Sequence, residues 1–338
     1  MSFILTFING VFLVALLISY FTPFINPDSF LWPIAFLGLS YPYLLIINSA
    51  FLIYWLVRFK KVFWTNVIIL ALGIEHFNNH FQFFEKESNS NHHFSVMSFN
   101  VRLFNAYQWI EKETISQDII QFINSSNSNI VCLQEFYAPN ELPSIQYPYS
   151  HIGLQSNRKK WRMATYSNYP ILNKGTVSIH GETKNNVCIF SDIAVNSDTI
   201  RFYNIHLASN WFQKEDYQFL ERPSVEGAES IIKRLKISFS KRAKQVNAIK
   251  RHMNTSPFPI IVCGDFNDTP NSYAYSVLSE GLDDSFSQQG NGIGSTYNGK
   301  IPMLRIDYIL FSPEIDISRY VTHQRDFSDH FPIESYFD

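Results

Sequence analysis

The first 74 residues hold almost no charge: Asp28, Arg58, Lys60 and Lys61 are the only ionised side chains among them. A stretch so poor in charge is not the start of an ordinary solvated domain. The chain as a whole lacks a basic surplus. Its 338 residues carry 27 Lys and Arg against 29 Asp and Glu, a formal net charge of -2. That argues against broad electrostatic capture of nucleic acid and leaves room for a local basic site. Cysteine is scarce too. Cys132, Cys188 and Cys263 are too few and too scattered for a disulfide framework. Cys132 and Cys263 lie in apolar strand-like runs and read as small buried hydrophobes.

What stands in place of charge at the N-terminus is long apolar runs. FILTFINGVFLVALLISYFTPF (3–24) is uncharged and long enough to cross a bilayer, which takes about 20 apolar residues. It has neither the basic start nor the small-residue cleavage site of a signal peptide. FLWPIAFLGLSYPYLLIINSAFLIYWLV (30–57) is also uncharged, and Pro33 and Pro42 put its regular part after Pro42. VFWTNVIILALGI (62–74) is short for a crossing; its alternative is a helix lying on the membrane or packed on the other two. The basic cluster RFKK (58–61) belongs on the cytoplasmic side. Three crossings then put everything after residue 75 outside the cytoplasm, as expected for a bacterial inner-membrane protein with an extracytoplasmic soluble domain. Two crossings would put that domain inside. The expected organisation is a membrane anchor over 1–75 with two to three transmembrane helices, a polar linker over 76–93, and a folded domain over 94–338. His92 and His93 in the linker read as solvated.

From residue 94 strands and helices alternate. FSVMSFNVR, NIVCLQE, PIIVCGD, RIDYILFS and FPIESYF read as strands. NVCIFSDIAVN and DTIRFYNIHLAS read as a hairpin turning at Asn196–Asp198. Helical spacing covers EKETISQDIIQFINS, a long region from about Ser224 to Asn254, and SYAYSVL. Such alternation predicts packed sheets with helices outside.

Several apolar runs stop at an oxygen or imidazole group: Asn100, Glu135, His206, Asp265 with Asn267, Asp307, and Asp329 with His330. Rigid strand ends are where α/β proteins build sites. Carboxylates and an amide suit a hard cation such as Mg²⁺ or Mn²⁺, whereas zinc would recruit cysteine or several histidines. Taken singly, most of these residues have plain structural readings: Asn100 as a turn cap, His206 as a core histidine, Arg305 with Asp307 as a surface pair. GDFND is the more specific piece, because a glycine beside Asp and Asn at a strand end allows close backbone approach.

The order SFNVR, QE, IHL, GDFN, RIDY, SDH over residues 94–338 resembles the endonuclease/exonuclease/phosphatase superfamily. The resemblance implies a four-layer α/β sandwich, two mixed sheets flanked by helices, with the site at one edge of the sheets. It implies a divalent-metal-dependent phosphohydrolase, most plainly a phosphodiesterase, with Mg²⁺ (or Mn²⁺) held by Glu135, with Asn100 beside it and Asp329 next to it. It gives Asp265 to the attacking water, Asn267 to the water and phosphate, His206 and His330 to proton transfer or phosphate contact, and Asp307 to orienting His330. Arg162, Tyr297 and Arg305 are expected to bind substrate. KKWRMATYSNYP departs from the usual small, apolar approach to the YS-YP motif, and NIHLAS departs from the abasic-site enzymes, which disfavours that branch.

Two basic stretches remain. NRKKWR (157–162) reads as a contact for phosphates or as a plain surface strand. KRLKISFSKRAKQVNAIKR (233–251) reads as the solvated face of an amphipathic helix in preference to a phosphate-binding face. The expected partners are a phosphate-ester substrate, either lipid headgroup or nucleic acid, and the lipid bilayer; no protein partner is identifiable. The alternative from another class is a catalytically silent membrane receptor or scaffold that keeps the fold. Such a relative would be expected to lose site residues, and all eight are present. A transporter is disfavoured because the spans carry no intramembrane charge.

Overall fold

The computed structural model describes residues 2–83, 92–137, 143–153, 161–179, 187–210 and 225–338. NRKKWR lies outside them except at its last two positions, and nothing is described of the Trp161 side chain. The chain divides into two compact units. One comprises 1–81, 210–243 and 268–277; the other comprises 82–209, 244–267 and 278–338.

The first unit is built on apolar helices α1 (Ser2–Ser19), α2 (Ala35–Leu39), α3 (Tyr41–Val57) and α4 (Val62–Leu72), followed by the polar α5 (Ile74–His80). Phe3–Phe24 is long and apolar enough to cross a membrane; Trp32–Leu39 and Tyr41–Val57 qualify only as one segment bent by 63°. Helix α4 has 11 residues, about 16 Å at 1.5 Å per residue, roughly half a hydrocarbon core. Three buried polar side chains tie these helices together. Asn9 and Asn66 exchange amide hydrogen bonds of 3.1 and 2.9 Å, and Trp55 Nε1 donates to Asn9 Oδ1 at 2.8 Å. Apolar surroundings leave such amides no water to turn to, so each needs its partner.

This unit does not end where the polar linker begins in the sequence. It takes in the first part of the long helix α7 (Val225–Met253) and the segment 268–277. Thr22 Oγ1 donates to the Asn271 carbonyl at 2.5 Å and Thr269 Oγ1 to the Gly38 carbonyl at 3.2 Å. His76 Nδ1 lies 3.0 Å from Asn271 Oδ1. Arg242, buried on α7, donates to Asp268 at 3.0 Å. Of the basic face expected on α7, Lys233, Lys236, Lys241 and Lys244 are exposed while Leu235, Phe239, Val246 and Ile249 are buried, the pattern of an amphipathic helix.

The second unit is a mixed α/β fold with two six-stranded sheets. The first runs β11 (Ile317–Thr322), β12 (Ile333–Phe337), β1 (Phe94–Asn100), β2 (Ile130–Tyr137), β4 (Trp161–Ser167), β3 (Tyr149–Gly153). The second runs β9 (Asp283–Asp284), β10 (Asp307–Phe311), β8 (Ile260–Asp265), β7 (Asp198–His206), β6 (Cys188–Val195), β5 (Ile171–Thr176). The β6–β7 hairpin turns where the sequence placed it, with Val195 opposite Asp198. Alternation divides each strand between two cores. Phe94, Val96, Ile130 and Cys132 meet Phe202, Ile261, Cys263 and Ile309 between the sheets, so Cys132 and Cys263 are the buried hydrophobes expected. Met97, Phe99, Val131 and Leu133 face α6 (Ile115–Ser125) through Ile115, Ile119 and Ile123. Beyond the second sheet, the end of α7 packs on β6 and β7, with His252 Nδ1 2.9 Å from Tyr203 Oη.

Each sheet holds one parallel pair at its centre, β1 with β2 and β7 with β8. A parallel pair needs a crossover, here α6 and α7. The carboxyl ends of the four strands carry Asn100, Gln134–Glu135, His206 and Asp265, with Asn100 opposite Gln134 and His206 opposite Asp265. The antiparallel β10 starts beside them, Asp307 opposite Asp265.

Candidate active site

Asn100 reaches the site by alternation alone. Phe94 and Val96 point between the sheets, so Ser98 and Asn100 do as well. Glu135 needs more. Between Leu133 and Phe136, β2 advances three residues while β4 advances two, from Ala164 to Arg162. This bulge puts Glu135 in the left-handed region, φ 48°. The extra residue resets the alternation, so Phe136 packs outward with Leu133 while Gln134 and Glu135 are left at the site end. A left-handed conformation in a residue with a long side chain is uncommon, and such strain collects at functional sites. Asn267 is held likewise, at φ 53°.

The centre is Asp265, 1% exposed. Its Oδ2 accepts from Asn100 Nδ2 at 3.0 Å and Asn267 Nδ2 at 3.1 Å, and its Oδ1 from the Asn267 backbone N–H at 2.8 Å. Three donors fix the carboxylate in place. Opposite it stands His330, whose Nδ1 lies 2.9 Å from Asp307 Oδ2 and whose Nε2 lies 3.7 Å from Asp265 Oδ2. Burial disfavours the imidazolium, but the carboxylates of Asp307, Asp265 and Asp329 outweigh it and hold the His330 pKa well above the ordinary value. The Asp307 backbone N–H is in turn bonded to Thr296 Oγ1 at 3.0 Å.

His206 Nε2 lies 3.6 Å from both Glu135 Oε1 and Asp265 Oδ2. It is buried and has no hydrogen-bond partner among the described residues. Burial pushes the Glu135 carboxyl up, and the neighbouring Asp329 and Asp265 add to this against the pull of His206 and His330. Asp329 pairs with Arg102 Nε at 3.2 Å. Under the site Gln134 Nε2 donates to Asn204 Oδ1 at 2.9 Å and Ser98 Oγ at 3.2 Å, a polar floor between the sheets.

Of the expected site residues, Asn100, Glu135, His206, Asp265, Asn267, Asp307, Asp329 and His330 come together here. Tyr297 joins them: it bridges to His330 through the backbone, and its ring stands edge-on 5.7 Å from the imidazole. Two do not join. Arg162 lies on the face of β4 that carries Ala164 and Tyr166 toward α6, and its Nε has no hydrogen-bond partner among the described residues. Arg305, 2% exposed, donates to Asp284 Oδ2 at 2.7 Å and lies between the rings of Phe286 and Tyr308, at 4.9 and 4.7 Å. That cation is committed to a buried pair at the edge of the sheet.

Sequence reasoning gave no role to Arg102, Asn204, Gln134, Thr296 or Ser328. Arg102 stands in the quoted SFNVR, so its position was in view. Gln134 stands likewise in QE, and Ser328, which donates to the Asn100 carbonyl at 2.8 Å, in SDH; Asn204 and Thr296 carry no local signal, because their partners lie elsewhere along the chain. Arg102 to Asn105 are all left-handed, φ 42 to 59°. Four consecutive residues there are costly at about 1–2 kcal/mol each. The turn is held by buried Leu103 and Phe104, by Asn105 Nδ2 donating to the Ile110 carbonyl at 2.8 Å, and by Phe104 packed edge-on against Phe136 at 5.5 Å.

Four carboxylates, Glu135, Asp265, Asp307 and Asp329, thus face two cations, Arg102 and His330. With His206 Nε2 unpartnered and Glu135 raised, the donor set fits a hard divalent cation. Ligand atoms of Asp265, Asp307 and His330 also lie within 4.8 Å of one another, a group able to hold a metal ion.

Residues 97–330 match the model of the Endonuclease/Exonuclease/phosphatase family, and residues 2–80 match that of a domain of unknown function (DUF8431). No curated protein matches the chain. Among solved structures, a conserved protein of unknown function from Enterococcus faecalis V583 is 16% identical with a TM-score of 0.54, covering 72% of this chain and 99% of its own. A 3′-5′ exonuclease from Neisseria meningitidis is 17% identical, TM-score 0.51, covering 72% and 99%. The human Nocturnin catalytic domain, with a bound sulfate anion, is 17% identical, TM-score 0.51, covering 72% and 94%. At these identities the likeness is one of fold.

Proposed function

The chain belongs to the endonuclease/exonuclease/phosphatase family, and from that premise we propose that its site hydrolyses a phosphodiester by in-line attack of water, with a divalent cation present. The observation that carries this reading is the arrangement around Asp265: a carboxylate fixed by three donors, with His206 Nε2 and His330 Nε2 both within 3.7 Å of one oxygen. Asp265 orients the attacking water and takes its proton. His330, kept protonated by its carboxylate neighbours and aimed by Asp307, stabilises negative charge on the non-bridging oxygens. His206 gives a proton from Nε2 to the departing oxygen. As the new P–O bond forms the old one breaks, and Asp265 then returns a proton to His206 across 3.6 Å. Asn267 holds both Asp265 and the water.

Glu135, Asn100 and Asp329 are the residues that would hold Mg²⁺ or Mn²⁺. When bound, the ion would offset charge on the phosphate and lower the pKa of a coordinated water. Asp265, Asp307 and His330 are assigned instead to proton and phosphate work, because Asp265 already accepts from three donors and Asp307 is engaged with His330 Nδ1.

The substrate reading within this class is a nucleic acid or nucleotide diester; the Neisseria exonuclease supports it by fold, and the further argument below by chemistry. The test is nicking of supercoiled plasmid by the full chain in detergent with Mg²⁺, against EDTA and against Asp265→Asn. Metal-dependent nicking lost in the variant is the expected result; nicking that survives the substitution rules out this site.

Residues 3–57 supply the membrane anchor in this reading, as two crossings. The extracytoplasmic placement expected from three crossings needs the 11-residue α4 as the third. Two crossings with Arg58, Lys60 and Lys61 on the cytoplasmic side place the hydrolase on that side too. Labelling an introduced cysteine at an exposed position, Glu314→Cys, with a membrane-impermeant reagent on whole cells and then on lysed ones tests it, the three native cysteines being buried. Labelling only after lysis is expected, and labelling of whole cells would restore the three-crossing arrangement.

A further inference from the structure

The left-handed turn after Asn100 delivers two exposed aromatic rings beside the site. Tyr107 is 62% and Trp109 43% exposed, and their rings meet edge-on at 5.2 Å. The Arg102 guanidinium lies 4.6 Å over the Trp109 ring, and its Nε is 3.2 Å from Asp329 Oδ2. One side chain therefore joins the aromatic pair to a carboxylate of the site. Large rings exposed next to a polar centre are not needed for the core, which Leu103, Phe104 and Ile110 already close on this side.

We propose that Tyr107 and Trp109 form a stacking platform for the base of a nucleotide whose phosphate occupies the Asp265–His330 centre. The proposal rests on the phosphohydrolase reading and names its substrate class. Two features select a base. Stacking on an aromatic face is tolerant of sequence, and the pair offers ring faces and edges with only one hydroxyl and one indole N–H for polar readout. The Arg102 cation already covers Trp109. A quaternary ammonium group, which seeks an uncovered aromatic face away from other cations, is therefore repelled. This disfavours a phosphocholine lipid, whereas a neutral, electron-poor base and its anionic phosphate are both accommodated by an Arg–Trp pair.

The experiment uses the full chain in detergent and two diesters with the same leaving group, thymidine 5′-(p-nitrophenyl) phosphate and p-nitrophenylphosphorylcholine, with methyl p-nitrophenyl phosphate as the diester lacking a base. The wild type should prefer the thymidine ester. Tyr107→Ala and Trp109→Ala should each lower its kcat/KM about 5- to 100-fold, the loss of one stacking contact. Both should change the methyl ester less than about twofold, and Tyr107→Phe and Trp109→Phe should restore most of the loss. A preference for the phosphorylcholine ester, or equal losses on the thymidine and methyl esters, overturns the proposal. Binding is read separately with 1,N6-ethenoadenosine 5′-monophosphate, whose fluorescence is quenched by stacking. Quenching lost in the Tyr107→Ala/Trp109→Ala double variant supports the platform even if no ester is hydrolysed, in which case the hydrolase reading alone fails. Quenching retained in the double variant overturns the platform whatever the activity.

Discussion

Gly264 is the residue on which the geometry of Asp265 and Asn267 depends, and Gly264→Ala is the substitution that exposes this. Gly264 has φ +148°, and a Cβ built there would lie 1.9 Å from the Ile205 carbonyl oxygen and 2.8 and 2.9 Å from the Ile205 carbonyl carbon and amide nitrogen. All three are backbone atoms of the parallel neighbour β7, so no side chain can rotate away. Ordinary contact begins at about 3.4 Å, so the strands must part by more than 1 Å at the residue before Asp265. The cost combines an unfavourable backbone conformation, about 1–3 kcal/mol, with overpacking, another 1–3 kcal/mol. Together these predict a loss of about 2–6 kcal/mol, roughly 5–20 °C in Tm for a unit of this size. Thermal unfolding of the full chain in detergent, followed by far-UV circular dichroism, measures it. Hydrolysis should fall even below the melting range, because His206 and Asp265 face each other in this register. A Gly264→Ala protein with unchanged Tm and unchanged activity would refute the reasoning.

Three further outcomes follow from the same structure. Glu135→Gln should raise the Mg²⁺ concentration needed for half-maximal activity at least tenfold, while Asp307→Asn should lower kcat on the order of 100-fold and leave that concentration unchanged; the reverse pattern, read from Mg²⁺ titrations, would move the metal to the Asp265–Asp307–His330 group. His151 is buried against Ser191, and burial, with Lys174 adding to it, pulls its pKa down to about 4. Folding therefore excludes a proton that the unfolded chain binds below about 6.5, so this contribution to stability, roughly 3 kcal/mol, is complete above that pH and lost as pH falls toward 4; His151→Asn should flatten urea midpoints between pH 7 and 4. A Cβ on Gly38 would lie 2.3 Å from the Asn271 carbonyl and 2.7 Å from Thr22 Oγ1, so Gly38→Val should lower Tm several degrees, as should removal of residues 1–83, which supply the partners of Thr269 and Asn271.

Strand ends were the most readable part of the sequence. VCGDFNDTP declared a buried strand, a close approach and a polar turn within nine letters, and β8 ends at Asp265 with Gly264 against β7. Packed sheets and the β6–β7 hairpin were legible for the same reason, since alternation and turn residues are local, whereas the division into two sheets came from the family resemblance. Glu135 was readable as a position but not as a geometry: the bulge that turns it inward depends on the register of β4, a strand some thirty residues away in sequence. Four consecutive left-handed residues at Arg102–Asn105 were invisible because none is glycine. Arg305 looked like a ligand for phosphate because its partner Asp284 sits in a different strand. Nor did the apolar N-terminal runs announce that they recruit residues 268–277 and the start of α7, a partnership made by hydroxyl-to-carbonyl bonds that any Thr or Gly can form.

The central claim is that one carboxylate, Asp265, serves a metal-dependent hydrolysis of phosphodiesters. Release of p-nitrophenolate from bis(p-nitrophenyl) phosphate by the full chain, measured with Mg²⁺, after EDTA, after Mg²⁺ is restored, and in Asp265→Asn, tests it most directly. The account predicts a rate abolished by EDTA, recovered with Mg²⁺, and lowered at least 100-fold in the variant while its Tm stays within a few degrees of the wild type. A rate indifferent to EDTA, or an Asp265→Asn protein that keeps wild-type turnover, would contradict it.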